Sequence, residues 1–216
     1  MTPWTVTVRE NTLIVTFPER YRVLSWAPLG GGLVEARSIL NHQVNINEYP
    51  TLEQESHLQR LAQQFDVAAP AVGLMTGVLM ERLVRSITQH ENLTIECFAT
   101  VGLSNALAVG DPASYAEQLG TINLIVVVNQ SFTPAAMIEA VQIVTEAKVS
   151  ALVTAEIRST MSQALATGTG TDCVAIACPV AETAYRYCGK HTKLGELLGR
   201  VVSNAVGEGI QKTFPT

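Results

Sequence analysis

The segment TINLIVVV, residues 121–128, is the part of the sequence that says most about the fold. It is almost wholly apolar and rich in β-branched side chains, which is typical of a central strand covered on both faces of a sheet. A helix is predicted to follow at once, because Thr133 is placed to cap it and Pro134 falls in its first turn. The apolar pattern of this helix continues to about Ile157. A buried strand that leads directly into a helix indicates an α/β fold.

Hairpins are predicted on the N-terminal side of this unit. Residues 5–8 and 12–17 alternate apolar and polar side chains around a polar turn, and residues 83–88 and 93–100 flank the turn His90-Glu91-Asn92. Residues 22–25 are predicted to form a further short strand. Antiparallel hairpins combined with a strand and helix unit predict a mixed sheet.

Helices at two other places complete the predicted layers. Thr51 is expected to cap a helix that begins near Gln54, which completes a capping box. Apolar residues recur at helical spacing over residues 194–210, after a capping Thr192. Small residues at 195, 199, 203 and 207 form a ridge on that helix, which permits close packing on the sheet or on a partner helix and leaves a homo-oligomer open. Residues 1–216 are therefore predicted to form a single layered α/β domain with a mixed β-sheet, hairpins and packed amphipathic helices.

The composition of the chain disfavours two classes of partner. Hydrophobic residues make up 47% of the 216 residues and charged residues 15%, which is enough to bury a core. The net charge of −5 disfavours nucleic acid and anionic membranes, since both call for clustered Lys and Arg. The N-terminal residues lack a basic and apolar leader pattern, and no apolar run reaches the length of about eighteen residues that a membrane span needs. A cytoplasmic protein without nucleic-acid or membrane partners is expected.

The four cysteines are expected to be free thiols. Cys97, Cys173, Cys178 and Cys188 include no CxxC pair, and nothing else in the sequence indicates a disulfide framework. Cys188 and His191 stand three residues apart, so a metal site completed by another cysteine is an alternative, but no second ligand pair accompanies them. We therefore predict no bound metal.

The loop and strand ATGTGTDCVAIACP, residues 166–179, are where the chemistry is expected. Gly168 and Gly170 are expected to adopt positive φ angles and to bring backbone N–H groups close to a ligand. The loop does not fit the dinucleotide fingerprint, because Cys173 replaces its third glycine and a strand follows in place of a helix. The GGG at residues 30–32 lacks the Gly-Lys pair of a triphosphate loop. Phosphotransfer on a nucleotide is left as a remote alternative.

Seven blocks of sequence, in order, carry a family resemblance: GGLVEARSILN, VGLMTGV, GLSNA followed by GDP, GTINLIVVVN, TPAAMIEAVQIVTEAK, ATGTGTDCVAIA and HTKLGELLGR. Together they resemble the adenosylcobinamide amidohydrolase family of corrinoid salvage enzymes over about residues 22–200. The resemblance implies hydrolysis of the amide that joins aminopropanol to the corrin ring of adenosylcobinamide, with release of adenosylcobyric acid for coenzyme B12 synthesis. No cofactor is predicted, and the cobalt belongs to the substrate. Trp26 departs from the family pattern, where a small residue is expected, and so do Gln163 and Ala164.

Asp172 and His191 are the main predicted catalytic residues. Asp172 lies between the Gly/Thr loop and a strand and is expected to orient or activate a reacting group. His191 is the expected proton carrier, because histidine titrates near neutrality, and His42 is the second choice. The nucleophile is left open among the hydroxyls of Thr169 and Thr171, the thiol of Cys173 and a water molecule.

Other charged residues are interpreted from their spacing. Glu35 is a further catalytic candidate, since it lies two residues from Arg37 on an extended segment and the two are expected to pair beside the GGG loop. Glu146 and Lys148 end an amphipathic helix and are interpreted as part of its solvated face.

Neutral hydrogen-bonding groups are expected to bind the amides at the edge of the corrin. Asn123 is of this type. The predicted substrate-binding residues are Gly31, Gly32, Arg37, Asn41, Ser104, Asn105, Asn129, Gly168, Gly170 and Lys193. A corrinoid-binding protein without chemistry is the alternative function. The charged set Asp172, His191 and Glu35 favours an enzyme, because binding alone needs no proton carrier.

Overall fold

A mixed sheet runs through most of the chain. The computed structural model of the protein describes residues 2–45, 53–113 and 120–214. The strands are β1 (Thr5–Arg9), β2 (Thr12–Ser25), β3 (Gly32–Gln43), β4 (Ala71–Thr76), β5 (Val84–His90), β6 (Leu93–Val101), β7 (Ala106–Leu107), β8 (Ile122–Val128), β9 (Gly168–Thr169) and β10 (Cys173–Pro179). The helices are α1 (Gln54–Gln64), α2 (Pro134–Thr154) and α3 (Lys193–Thr213), with a 3₁₀ turn at Met80–Arg82.

The strand order explains why the sheet is mixed. Eight strands form the main sheet in the order β4-β3-β2-β10-β8-β6-β5, with β1 paired to the first half of β2. The pairs β3/β4 and β8/β10 are parallel, whereas the other pairs are antiparallel. The short strands β7 and β9 form a separate ribbon. The predicted α/β class with a mixed sheet, hairpins and packed helices is confirmed.

Strand β8 is buried along its whole length, as its sequence predicts. Alternate side chains point to opposite faces of a strand. One set, Ile122, Leu124, Val126 and Val128, packs in the core beneath α2 and α3. The other set, with Ile125 and Val127, packs against apolar side chains of β2, β3 and β4. Asn123 lies on this second face, so its side chain points to the side of the sheet away from α2 and α3.

The sheet curls so that β4 comes close to the start of β8. The pairing of β2 with β3 shifts register between Thr16 and Tyr21, and an irregularity of this kind increases local twist. The side-chain amide of Asn123 donates to the carbonyl of Met75, at the end of β4, over 2.7 Å. The curl therefore brings the ends of β3 and β4 next to the beginnings of β8 and β10.

Two of the three predicted N-cap residues cap their helices in the structure. Thr133 caps α2 by accepting from the N–H of Ala136 over 3.2 Å, and Thr192 caps α3 by accepting from the N–H of Gly195 over 2.9 Å. Helix α1 has Glu53 at its N-cap without a side-chain cap, and the predicted cap Thr51 lies outside the described residues.

Two predicted boundaries are wrong. Residues 22–25 continue β2 and form no separate strand, because β3 stays paired with β2 beyond the register shift and β10 takes the place of β1 on the other side. Helix α2 ends at Thr154, before the predicted Ile157. In the described residues, no helix is long and apolar enough to cross a membrane.

The same substitution at two glycines of α3 is expected to have opposite effects on the free energy of unfolding. A Cβ at Gly195 would overlap the backbone carbonyls of Cys188 and Gly189, whereas a Cβ at Gly207 meets nothing within 4 Å. Gly195→Ala should therefore lower the free energy of unfolding by roughly 1–3 kcal/mol, since backbone cannot move aside cheaply. Gly207→Ala should raise it by about 0.5–1 kcal/mol through helix propensity. Denaturant unfolding of both variants measures the difference, and equal effects would contradict the packing.

Candidate active site

The carboxylate of Asp172 joins three segments at the edge of the sheet where β8 and β10 begin. Its Oδ1 accepts from the backbone N–H groups of Ile122 and Thr169, each over 3.1 Å, and from the Thr169 hydroxyl. Its Oδ2 forms an ion pair with the ammonium of Lys148, and the two side chains are only 12% and 10% exposed. With these partners, the carboxylate holds the loop in place.

The burial of Lys148 is a correction to the sequence interpretation, which assigned it to a solvated face. Glu146, two residues earlier on α2, does face solvent and pairs with Lys190. Residues two apart on a helix point to nearly opposite sides, so Lys148 faces the sheet. A sequence pattern for this existed: Lys148 lies four residues after the buried Val144 and continues the apolar stripe.

The glycines of the loop serve a different purpose from the predicted one. Positive φ angles occur at Gly30, Gly32 and Gly110, but not at Gly168 or Gly170. Gly168 is needed for space, because a Cβ there would overlap Oδ2 of Asp172 and lie 2.7 Å from Nζ of Lys148. At Gly170 the nearest atoms are 3.7 Å away. The loop is therefore shaped by the buried ion pair.

A cavity of about 300 Å³ lies beside this loop. Its apolar walls include Trp26, Pro28, Val44 and Met75, and its polar side includes Thr121, Asn123 and Thr171. No charged side chain lines it among the described residues. The cavity therefore offers neutral hydrogen-bonding groups next to apolar surface, which is the usual character of a small-ligand site.

A buried amide network orients Asn123 toward this cavity. The amide nitrogen of Asn123 donates to Oδ1 of Asn41 over 2.9 Å as well as to Met75, and Asn41 donates to the Thr100 hydroxyl over 3.1 Å. The carbonyl oxygen of Asn123 accepts from Thr121 over 3.3 Å. Asn41, a predicted substrate-binding residue, thus supports Asn123 from behind and does not itself line the cavity.

The threonines of the loop divide into an anchor and a cavity residue. Thr169 donates its hydroxyl to Asp172 and does not line the cavity. Thr171 does line it, and its hydroxyl donates to the carbonyl of Gly120 over 3.1 Å. Thr171 therefore keeps oxygen lone pairs for a ligand, whereas the protons of both hydroxyls are already donated, to Asp172 and to Gly120.

Cys173 borders the cavity as a buried thiol. Burial raises its pKa to about 11, against a weaker opposing effect of the hydrogen bond with Ser25. The Ser25 hydroxyl lies 3.8 Å from the sulfur and accepts from the N–H of Ala27 over 3.1 Å. The thiol is thus protonated at neutral pH, and a protonated thiol is a poor nucleophile.

The predicted combination of Asp172 with His191 is not present. Residues 192–194 line a second cavity together with residues 90–93, at the edge where β6 begins and β8 ends. Asp172 instead contacts Ile122, at the beginning of β8. The two edges lie at opposite ends of β10, whose length is roughly 20 Å at the usual rise per strand residue. His191 is exposed and lies beyond reach of the first cavity.

Two predicted binding residues also lie at that far edge. Lys193 is exposed and pairs with Glu196. Asn129 accepts from the N–H of Thr94 over 2.7 Å and donates to the carbonyl of Asn92 over 2.8 Å, so it closes the turn between β5 and β6. Their positions contradict a shared site with the Gly/Thr loop.

The segment that contains the GGG loop borders the cavity only through Trp26 and Pro28. Glu35 is exposed on β3, and it forms no ion pair with Arg37 in the described part of the chain, which is another correction. Gly31 packs against the carbonyl of Ala27, which a Cβ would approach to 2.7 Å. Gly32 begins β3 in open space with φ of +104°.

Ser104 and Asn105 lie behind the cavity wall. A Cβ at Gly120, which lines the cavity, would come within 2.7 Å of the Ser104 hydroxyl and against the side-chain oxygen of Asn105. Oδ1 of Asn105 is buried and has no hydrogen-bond partner among the described residues. The two residues thus follow β6 as predicted, and both are next to the loop.

His42, the second choice as proton carrier, faces the other side of the sheet. It alternates with Asn41 on β3 and packs toward α1, where its ring lies 5.3 Å from that of His57. The Thr12 hydroxyl is 2.8 Å from its Nδ1. Burial and the neighbouring His57 lower the pKa of His42 to about 4, so the ring is neutral at pH 7.

The cysteines are buried free thiols, which confirms that expectation for this structure. Among the described residues, no three His, Cys, Asp or Glu side chains form a group that could hold a metal ion.

The match to a family model agrees with the resemblance of the sequence blocks. The sequence model of the family described as adenosylcobinamide amidohydrolase matches residues 3–215. The chain is 30% identical over 228 aligned residues to the uncharacterized protein MJ1613 of Methanocaldococcus jannaschii, with 94% of this chain and 86% of that protein covered. The crystal structure of the PH0078 protein of Pyrococcus horikoshii OT3 aligns with 97% of this chain and 80% of its own, at a TM-score of 0.48 and 11% identity. The family match includes both the loop and the cavity.

The contribution of the buried ion pair to stability can be tested against a matched control variant. Lys148→Met leaves Asp172 as an unpaired buried charge and should lower the free energy of unfolding by roughly 3–5 kcal/mol. Lys190→Met removes the exposed partner of Glu146 and should have no resolvable effect. Denaturant unfolding at neutral pH compares the two variants. Similar stabilities of the two would contradict the anchoring role of Lys148.

Proposed function

The chain belongs to the adenosylcobinamide amidohydrolase family, and from this premise we propose that it hydrolyses the amide between aminopropanol and the corrin ring of adenosylcobinamide. The products are adenosylcobyric acid and aminopropanol, which serve the salvage of cobinamide for coenzyme B12 synthesis. The observation that carries the proposal is the family match over residues 3–215, and inside the matched region lies a cavity whose described lining offers neutral hydrogen-bonding groups.

The character of the cavity supports an amide ligand. Thr121, Asn123 and Thr171 place hydroxyl and amide groups along one side, and these bind an amide without ionic competition. At about 300 Å³, the cavity is at the small end of the range for ligand sites. It therefore suits the side arm that carries the scissile amide, while the macrocycle remains outside.

Water is the nucleophile that fits this site best. The hydroxyls of Thr169 and Thr171 already donate to Asp172 and Gly120, and the thiol of Cys173 is protonated at neutral pH. In the proposed reaction, water adds to the acyl carbon, the C–N bond breaks, and the amine takes both protons of the water and leaves as an ammonium ion. The acid becomes a carboxylate, so the atoms and charges balance.

Asp172 acts in this proposal as a positioning residue. It lies between Thr171 and Cys173, which both line the cavity, and its own carboxylate points away toward Lys148. A loop held before the substrate arrives costs no reorganisation during the reaction.

One observation favours a second candidate, a corrinoid-binding protein without chemistry. The described cavity lining contains no charged side chain, and Asp172, His191 and Glu35 do not meet there. These three charged side chains were the sequence feature that favoured an enzyme over a binding protein. The choice between the two functions therefore depends on turnover, not on binding.

Turnover is tested by incubation of the purified protein with adenosylcobinamide and mass spectrometry of the products. The expected result is adenosylcobyric acid with one aminopropanol released per corrinoid, and equal yield after exhaustive treatment with a chelator. Tight corrinoid binding without product would instead favour the second candidate. Activity lost on chelation and restored by added metal would contradict the prediction of a metal-free protein.

The nucleophile is tested with Cys173→Ala and a pH profile. Because the thiol pKa is raised to about 11, a thiolate mechanism would gain rate steadily as pH rises toward that value. With water as the nucleophile, Cys173→Ala should keep kcat within about tenfold of the original and should leave the shape of the profile unchanged. Loss of activity on the order of a thousandfold in a folded Cys173→Ala protein would assign the attack to sulfur.

A further inference from the structure

Trp26 is held rigidly at the border of the cavity. It directly follows Ser25, the last residue of β2, which pairs with Ala175 of β10. The Ser25 hydroxyl accepts from the N–H of Ala27, and the indole N–H of Trp26 donates to the carbonyl of Asp172 over 2.7 Å. Both the backbone and the far edge of this side chain are therefore restrained.

The indole is nevertheless largely uncovered. Trp26 is 52% exposed, whereas the other tryptophan, Trp4, is 3% exposed and donates to a buried carboxylate of Glu96. An exposed aromatic ring that rotates freely keeps its conformational entropy. A restrained ring has lost that entropy and still exposes apolar area to water. A ligand that covers this ring would gain contact area at a small entropic cost.

The position of the ring relative to the polar groups suggests what covers it. Trp26 and Pro28 form one wall of the cavity, and Thr121 and Asn123 contribute to its polar side. Gly31 leaves room for the chain next to Trp26, because a Cβ at residue 31 would come within 2.7 Å of the Ala27 carbonyl. A ligand arm bound by the polar groups would leave the rest of the ligand next to the indole.

We propose that Trp26 is a specificity-determining residue that stacks against a planar conjugated ring of the ligand, while the amide-bearing arm occupies the polar side of the cavity. This inference rests on the proposed function. An indole face attracts flat conjugated rings through dispersion and its quadrupole, and offset stacking is the preferred geometry. In adenosylcobinamide, two groups have this chemistry, namely the conjugated macrocycle and the adenine of the adenosyl group.

Two substitutions separate the aromatic face from the hydrogen bond. Trp26→Phe and Trp26→Leu both remove the indole N–H that binds the carbonyl of Asp172, so both should lower kcat to a similar extent through the loop. Only Trp26→Phe keeps an aromatic face. Trp26→Leu should therefore bind corrinoid about tenfold more weakly than Trp26→Phe, which is within the range for loss of one stacking contact.

Binding is measured by equilibrium dialysis with detection of the corrinoid by absorbance, and kcat is measured in parallel. Thermal unfolding of each variant checks that it is folded, which is expected because the side chain is half exposed. Equal affinity of the Phe and Leu variants would overturn the stacking role, even if the original protein hydrolyses adenosylcobinamide.

A second corrinoid identifies the stacked ring and separates this inference from the proposed function. The same measurements use cobinamide with cyanide in place of the adenosyl group. If Trp26→Phe binds both corrinoids more tightly than Trp26→Leu does, the result supports stacking on the macrocycle. If the two variants differ in affinity for the adenosyl form alone, the result supports stacking on adenine. If the original protein neither binds nor hydrolyses either corrinoid, the proposed function fails and the inference fails with it.

Discussion

The buried ion pair between Lys148 and Asp172 is the interaction on which the arrangement of the candidate site depends. Two charges taken out of water cost free energy unless each is paired and further hydrogen-bonded. Here the carboxylate also accepts from Ile122 and Thr169, so α2, the start of β8 and the Gly/Thr loop are tied to one group. Gly168 leaves the space for this contact, and Trp26 binds the carbonyl of the same aspartate.

This anchoring explains how a cavity whose described lining holds no charged side chain is kept in shape. Thr171 and Cys173 lie on either side of Asp172 in the chain and line the cavity, while the charge itself is directed away from it. Asn123 is the neighbour of Cys173 in the β8/β10 pair, and the curl of the sheet lets Asn41 and Met75 hold its amide. Restrained neutral groups of this kind can donate hydrogen bonds to a neutral polar ligand or accept them from it.

The sequence predicted the elements better than it predicted the site. Residues 121–128, the caps Thr133 and Thr192 and both hairpins were identified correctly, because local spacing reports local burial. The loop around Asp172, where the chemistry was expected, borders the described cavity through Thr171. The grouping of Asp172 with His191 was wrong, since β10 places them at opposite edges of the sheet, and Lys148 was missed although it continues an apolar stripe.

The amino-acid sequence by itself therefore determined the α/β class, most element boundaries and the family, through periodicity and seven ordered blocks. Only the tertiary structure decided which polar groups meet. Lys148 and Asp172 are 24 residues apart, Asn41 and Asn123 are 82 apart, and Asn41 and Thr100 are 59 apart. Such contacts depend on strand order and on the curl of the sheet, which no spacing within a single element encodes, because periodicity describes one face of one element at a time.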